Sequence, residues 1–363
     1  MRKNIVFHTF SEIQPLKRSL NRRSNRSLFC LTFVIMLSIC LTGCKKQKES
    51  HQPKTNLQEV KKLEKANEIH RYRYDQELFR LSQDSLAEGL KELRKDYDFF
   101  IGENPSINQL KAYLNDPVIQ NLYKDAQVQY ADLSDMEKAF QAAFARIRYH
   151  FPKFRIPRIY TIISGLDPES TIIYVDSVLI ISLDMYLGAD YRYYKQMGEY
   201  LPNFIRRHLS KEYILSDCMK AIAYQVIHSN NASTGLIDDM LLEGKRWMFT
   251  EIALPDAPDS IICLYPNEQL QWAEKNEYEI WSFLIQKNLL YSNDNMVIRK
   301  MIGEAPYTAY FGKNAPGNLG SWLGWHICRA WIDNNSQSAV TALFEEKNPQ
   351  KILKESQYKP VKK

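Results

Sequence analysis

The chain has 363 residues, with 48 Lys and Arg against 42 Asp and Glu and a hydrophobic fraction of 45%. That length accommodates one elaborate domain or two closely joined ones. Residues 1–43 contain seven of the cations and one acid, Glu12, which leaves 41 of each sign in the remainder. This balance excludes a strongly basic surface, so we expect no nucleic-acid partner.

The first 44 residues are predicted to be an export signal that ends at a lipid-attachment site. Basic residues precede an apolar run over residues 28–41, and Thr42-Gly43-Cys44 follows it. A basic start, a short apolar centre and small residues are typical of a secretory signal, and the run is too short for a comfortable membrane span. The LTGC ending resembles a bacterial lipobox, which predicts a signal peptide over residues 1–43 and lipidation of Cys44. An uncleaved anchor is the alternative.

The remainder is predicted to contain a tether and two regions that form one compact unit. Residues 44–67 are polar and rich in Lys, Gln and Glu, which is typical of a flexible tether. Residues 68–150 show helical periodicity, and residues 151–363 mix strands with helices. The residues that follow Cys44 are Lys45 and Lys46 rather than an acidic run that would signal export to the cell surface. This favours a lipid-anchored envelope protein that faces the periplasm.

Three β-branched runs, over residues 159–164, 171–175 and 178–183, predict a small and largely antiparallel sheet. Their nearly continuous apolarity indicates that helices cover the sheet. The expected fold class is therefore α+β, mostly helical, with a small antiparallel or mixed sheet packed on helices.

Three cysteines lie after Cys44, namely Cys218, Cys263 and Cys328. Their wide spacing excludes a disulfide framework and a Cys-x-x-Cys metal site, and we expect buried thiols. One disulfide that involves Cys263 remains open, because the protein is expected to be exported. A nearly all-apolar segment over residues 320–331 is predicted to be a buried helix whose glycines permit close backbone approach.

The stretch over residues 210–244 is predicted to hold two helices around a polar break. Ser210 is the expected N-cap, and apolar side chains then recur at helical spacing, at Ile214, Leu215, Cys218, Met219, Ile222, Ala223, Val226 and Ile227. A second stripe on the opposite face contains Asp217, Ala221, Tyr224 and His228. The second helix is expected to end at Glu243-Gly244, since Gly commonly follows a helix terminus. A helix with His, a loop and a helix with Glu-Gly is the layout of a zinc-peptidase core.

Six motifs together resemble one known family. They are RYRYDQELF, YHFPKFRIPRIYT, ISLDMYLGADYRYY, NEYEIWSFLIQKNLLYS, IGEAPYTAYFG and PGNLGSWLGWHI, and they cover nearly all of the chain after Cys44. In this order they resemble the gliding motility-associated lipoprotein family, GldB. The resemblance implies a link to the motility apparatus and its associated secretion system.

The GldB family is also similar to predicted zinc peptidases of the gluzincin type, which implies a zincin-like core. In that comparison Tyr224 replaces the first His ligand, Gln225 the catalytic Glu, His228 the second His, and Glu243 the third ligand. Gln carries no titratable carboxylate, and Tyr is a weak zinc ligand beside imidazole. The motif therefore reads as degenerate, and we expect no cofactor and no catalysis. His228 and Glu243 are the only two matched positions with metal-binding side chains.

Two functions follow from this reading. The first is a non-catalytic scaffold that binds other envelope proteins through the tyrosine-rich residues 191–200 or the Trp272 and Trp281 region, since interface centres favour Tyr and Trp. The second is an active zinc-dependent peptidase with a rearranged site made of His228 and Glu243, with Asp217 or Glu277.

Overall fold

The computed structural model describes residues 53–102, 105–228, 233–335 and 338–362. The predicted signal peptide and Cys44 lie outside the described residues. The elements up to the end of the sheet are α1 (Leu57–Ala66), β1 (Arg71–Tyr72), α2 (Tyr74–Phe79), α3 (Leu86–Ile101), α4 (Ile107–Asn115), α5 (Pro117–Gln129), α6 (Ser134–His150), β2 (Arg158–Ile162), β3 (Ile172–Val175) and β4 (Val178–Ser182).

The rest of the described chain is helical. Its helices are α7 (Arg192–Gln196), α8 (Asn203–Arg206), α9 (Ile214–Val226), α10 (Leu236–Ala253), α11 (Asp259–Cys263), α12 (Asn267–Gln286), α13 (Asn295–Ile302), α14 (Leu319–Asn334), α15 (Val340–Glu345) and α16 (Pro349–Ser356). The predicted fold class, α+β and mostly helical with a small sheet, is confirmed.

The sheet is mixed, and the prediction of a largely antiparallel sheet was wrong. Its strand order is β1-β2-β4-β3. Strand β2 runs parallel to both β1 and β4, and only β3 and β4 pair antiparallel. The tight turn at Asp176 and Ser177, both with positive φ, places β3 at the outer edge, so β4 rather than β3 lies beside β2. Strand β1 was missed because two residues are too short to show an alternating pattern.

Helices cover both faces of the sheet, as predicted. Along β4, Leu179 and Ile181 point into the main core, whereas Val178 and Ile180 point into a smaller core with α2 and α3. Because β1 pairs with β2, the chain before residue 150 and the chain after it contribute to the same sheet.

The predicted tether over residues 44–67 ends earlier than expected, because Leu57–Ala66 forms helix α1. The Asn56 side chain caps this helix by accepting from the Gln58 and Glu59 N–H groups. Gln141 of α6 donates to the Glu64 carbonyl oxygen at 2.9 Å, which fixes the far end of α1 on α6.

The main core is centred on α10 and α14, and α14 is buried along most of its length, as predicted. Cys218, Cys263 and Cys328 are all buried free thiols, so the disulfide that the sequence left open at Cys263 is not formed. Burial raises the pKa of the Cys263 and Cys328 thiols to about 12, which suppresses their thiolate reactivity.

Candidate functional site

The first predicted helix is shorter than expected at both ends. The Ser210 side chain makes no capping hydrogen bond, a short 3₁₀ turn follows this residue, and α9 begins only at Ile214. At the other end Ile227 is extended, with φ −111° and ψ 94°. His228 therefore lies beyond the helix, and the expectation that it shares a helical stripe with Tyr224 was wrong. Val226, expected to be buried, is 40% exposed.

His228 is an exposed residue held by its own chain. Its Nδ1 lies 3.3 Å from the Gln225 carbonyl oxygen, one turn back. The contact lies at the C-terminal end of α9, where the carbonyl oxygens of the last turn have no partner within the helix. It therefore occupies one of the two imidazole nitrogens of His228. The side chain of Gln225 is exposed as well.

The second predicted helix does not end at Glu243-Gly244. Helix α10 continues to Ala253, and Gly244 lies in its middle, where α10 crosses α14. A Cβ on Gly244 would come within 2.2 Å of the Gly324 backbone. The glycine is thus required by close helix packing and does not mark a helix end.

Tyr224 and Glu243 are brought together, and Arg246 completes the cluster. The Tyr224 hydroxyl donates to Glu243 Oε2 at 3.1 Å, and Arg246 Nη1 donates to Glu243 Oε1. The guanidinium lies 4.1 Å from the centre of the Tyr224 ring, and its Nε donates to the Ile227 carbonyl oxygen at 3.1 Å. Both carboxylate oxygens of Glu243 are therefore engaged by one neutral and one cationic donor.

These residues do not fit a zinc site. Desolvation of the hydroxyl, followed by the neighbouring Glu243 carboxylate, raises the pKa of Tyr224. A phenolate, the form that binds a metal, is thereby disfavoured. Arg246 also neutralises the negative charge of Glu243, which would otherwise attract a metal ion. Among the described ranges, no group of three or more His, Cys, Asp or Glu side chains is arranged to hold a metal ion.

The other two residues of the rearranged site lie in separate environments. Asp217 accepts from the Tyr186 hydroxyl at 2.8 Å, and burial raises the pKa of its carboxyl to about 6. Glu277 of α12 accepts from the Tyr358 hydroxyl at 2.7 Å and lies 2.9 Å from His326 Nδ1. The structure thus pairs Asp217 and Glu277 with partners other than His228.

Lys220 is a functional candidate that the sequence analysis missed. Burial lowers the pKa of its ammonium to about 8, although the nearby Asp217 carboxylate opposes that shift. Its Nζ lies 5.8 Å from the centre of the Trp247 ring, in cation–π range. Lys220 lies four residues before Tyr224 on α9, and Arg246 lies three residues after Glu243 on α10. Helical spacing alone therefore identifies Lys220 and Arg246 as neighbours of the degenerate positions.

A buried ion network was also missed. Arg329 of α14 donates to Glu251 Oε1 at 2.7 Å and to Asp259 Oδ2 at 2.7 Å. Trp325 Nε1 donates to Glu251 Oε2 at 2.8 Å, and the Arg329 guanidinium stacks 3.7 Å from the Trp325 ring centre. This network ties α10, α11 and α14 together in the core.

Of the two predicted binding patches, the tyrosine-rich one contains a strongly exposed aromatic residue. Trp281 is 8% exposed and packs against Tyr358, and Trp272 is half-buried beside Phe311, so that region belongs largely to the core. Tyr200, by contrast, is 87% exposed.

Two other tyrosines of that patch are anchored on α5, whereas Tyr194 is fully buried. The Tyr191 hydroxyl donates to Asp125 at 2.7 Å, and Arg192 donates to the same carboxylate at 2.7 Å. The Tyr193 hydroxyl accepts from Asn121 at 3.1 Å, and its ring centre lies 4.9 Å from the Arg192 guanidinium. These contacts hold the half-buried rings of Tyr191 and Tyr193 in fixed positions.

Comparison with known families decides the classification. The family described as gliding motility protein GldB matches residues 54–360, which is most of the chain. This chain belongs to the GldB family. Comparison with curated proteins and with solved structures gives no match. For this GldB family member, no helix within the described ranges is long and apolar enough to cross a membrane.

Proposed function

We propose that this GldB family protein is a lipid-anchored, non-catalytic component of the cell envelope that acts as a binding scaffold. The LTGC sequence ending at Cys44 supports the lipid anchor, and membership of a gliding motility family supports a role beside envelope machinery. The domain faces the periplasm in this proposal, and protease accessibility of the domain on intact cells would contradict that orientation.

One observation carries the non-catalytic part of the proposal. Glu243 is bound on one side by Tyr224 and on the other by Arg246, at the place where a peptidase would present its third ligand. Gln225 at the general-base position cannot accept a proton from water at neutral pH. We infer that α9 and α10 were retained from a zincin-like ancestor and that a structural hydrogen-bond cluster has replaced its metal ligands.

The partners in this proposal are other envelope proteins, bound at the surface formed by α5 and α7. Tyr191 and Arg192 are fixed by Asp125, and Tyr200, which follows α7 in the chain, projects into solvent. Rigid, exposed Tyr and Arg side chains supply large contact area at a low entropic cost, which is why they recur at the centres of interfaces. The balanced charge after residue 43 leaves nucleic acid out of this proposal.

Site-specific crosslinking in cells tests the scaffold role. A photoreactive phenylalanine at Tyr200 is expected to crosslink to defined envelope proteins, and the same group at Tyr291, which is 56% exposed on another surface, is the matched control. Cys44→Ser is expected to abolish both membrane recovery and the crosslinks. Equal crosslinking at the two positions, or crosslinks that survive Cys44→Ser, would contradict the proposal.

A further inference from the structure

The described chain begins beside the C-terminal end of α6. Thr55 Oγ1 lies 3.3 Å from His150 Nε2, and the Asn56 N–H donates to the Tyr149 hydroxyl at 3.2 Å. The far end of α1 contacts Gln141, so α1 and α6 run antiparallel. The segment that leads back to Cys44 therefore leaves the domain at one defined end.

The length of that segment limits how the domain can stand on a membrane. Nine peptide bonds separate Cys44 from Pro53. Fully extended, nine residues span at most about 30 Å. If Cys44 carries the lipid, the C-terminal end of α6 must stay within that distance of the bilayer surface.

The loop that follows α6 at this end is basic. Residues 151–157 contain Lys153 and Arg155 and no carboxylate, and both cations are exposed. Within the described ranges, neither of the two forms an ion pair with a side chain. Acids of neighbouring elements on this side are Asp256, 3.7 Å from Arg146 of α6, and Glu345, next to the residue that packs on Phe151. Arg158 is the first residue of β2, beside His70 beyond the far end of α1, and lies apart from this end.

We propose that the loop over residues 151–157 lies against the membrane surface and binds anionic phospholipid headgroups through Lys153 and Arg155. The proposal rests on the lipid anchor at Cys44. A short tether keeps the local lipid concentration high, and each cation near an anionic surface strengthens binding about five-fold. The anchor and the loop together fix which end of the domain faces the bilayer and leave the α5–α7 surface to partners.

Depth-dependent fluorescence quenching tests the proposal on the full-length, anchored protein in phospholipid vesicles. A fluorophore is attached through Pro152→Cys, an exposed position that leaves Lys153 and Arg155 in place, since Cys218, Cys263 and Cys328 are buried. Lys138→Cys is the matched control, because the Lys138 side chain is 76% exposed. Lys138 lies twelve residues before the C-terminal end of α6, which is about 18 Å from that end. A nitroxide on the lipid headgroup is the quencher, and the vesicles are phosphatidylcholine with or without phosphatidylglycerol.

The expected result is stronger quenching at position 152 than at position 138 in anionic vesicles, with the difference lost at high ionic strength. Lys153→Gln and Arg155→Gln should each weaken the contact about five-fold. Equal quenching at both positions in protein that has incorporated a labelled fatty acid at Cys44 overturns the loop proposal alone. Failure to incorporate the fatty acid overturns the anchor and this proposal together.

Discussion

The backbones of Gly244 and Gly324 touch where α10 crosses α14. A Cβ on Gly324 would lie 1.7 Å from the Met240 carbonyl oxygen, far inside any permitted contact. The crossing explains why a Glu-Gly pair is present on α10 although no metal chemistry surrounds it. The glycine follows from packing, and Glu243, which precedes it, is largely covered by its contacts with Tyr224 and Arg246.

Gly324→Ala is expected to destabilise the fold by about 3 kcal/mol or more, because both contacting atoms belong to helix backbones and α10 and α14 must move apart. Urea unfolding followed by circular dichroism measures the loss. Gly89→Ala is the control, since the only close contact there is the flexible end of Leu81 and Ala favours the helix. Loss of the same size at both positions would show that the crossing is not specially constrained.

The buried ion network predicts strong coupling between Glu251 and Arg329. Glu251→Gln should cost about 1.5 to 3 kcal/mol, because Arg329 and Trp325 lose a charged acceptor in the core while Asp259 still pairs with Arg329. The double variant Glu251→Gln with Arg329→Met should lose at least about 1 kcal/mol less than the sum of the single losses. Additive losses in urea unfolding would contradict a direct interaction.

His150 is expected to make the fold sensitive to mild acid. Burial lowers the pKa of its imidazole from 6.5 to about 4. Between these values the unfolded chain binds a proton that the folded chain does not, so the stabilising contribution is complete above pH 6.5 and is lost as the pH falls toward 4.

Between pH 7.5 and pH 5, the parent protein should therefore lose about 1 to 2 kcal/mol more of unfolding free energy than His150→Gln. Denaturant unfolding at the two pH values measures this difference. Because His150 contacts Thr55, amide exchange in α1 should accelerate at pH 5 in the parent and much less in the variant. Identical pH dependence of the two proteins would contradict this interpretation of the burial.

Restoring the motif should not restore a metal site. Tyr224→His with Gln225→Glu recreates His-Glu-x-x-His in sequence, but His228 lies past the end of α9 and Glu243 is bound by Arg246. We expect zinc affinity weaker than about 1 μM in calorimetric titration. Addition of Arg246→Ala frees Glu243 and should strengthen the binding. Tight zinc binding by the double variant with Arg246 in place would contradict the reported geometry.

The sequence predicted the features that rest on repeated local patterns. The fold class, the covered sheet, the buried thiols and the buried helix with Gly324 are confirmed because each depends on apolar periodicity or on a close-packing residue. Strand β1, the parallel pairing of β2 with β4 and the continuation of α10 past Gly244 depend on contacts between distant segments. Local sequence does not encode those contacts.

At the candidate site, the sequence identified Tyr224 and Glu243 but not the residue that joins them. Arg246 carries no signal in the zinc-peptidase pattern, because an arginine has no place among the ligand positions of that motif. The end of α9 was misplaced by two residues, which was enough to remove His228 from the helix. Helix ends are poorly defined by periodicity, since Ile227 is apolar and buried in either conformation.

The most direct test of the account is the metal content of the native protein, purified from zinc-replete cells without chelators. If the Glu243 carboxylate binds Tyr224 and Arg246 rather than a metal ion, elemental analysis should find far less than about one zinc per chain. The content should not change in His228→Ala or Glu243→Gln. About one bound zinc per chain that is lost in both variants would contradict the account and identify the α9–α10 pair as a working metal site.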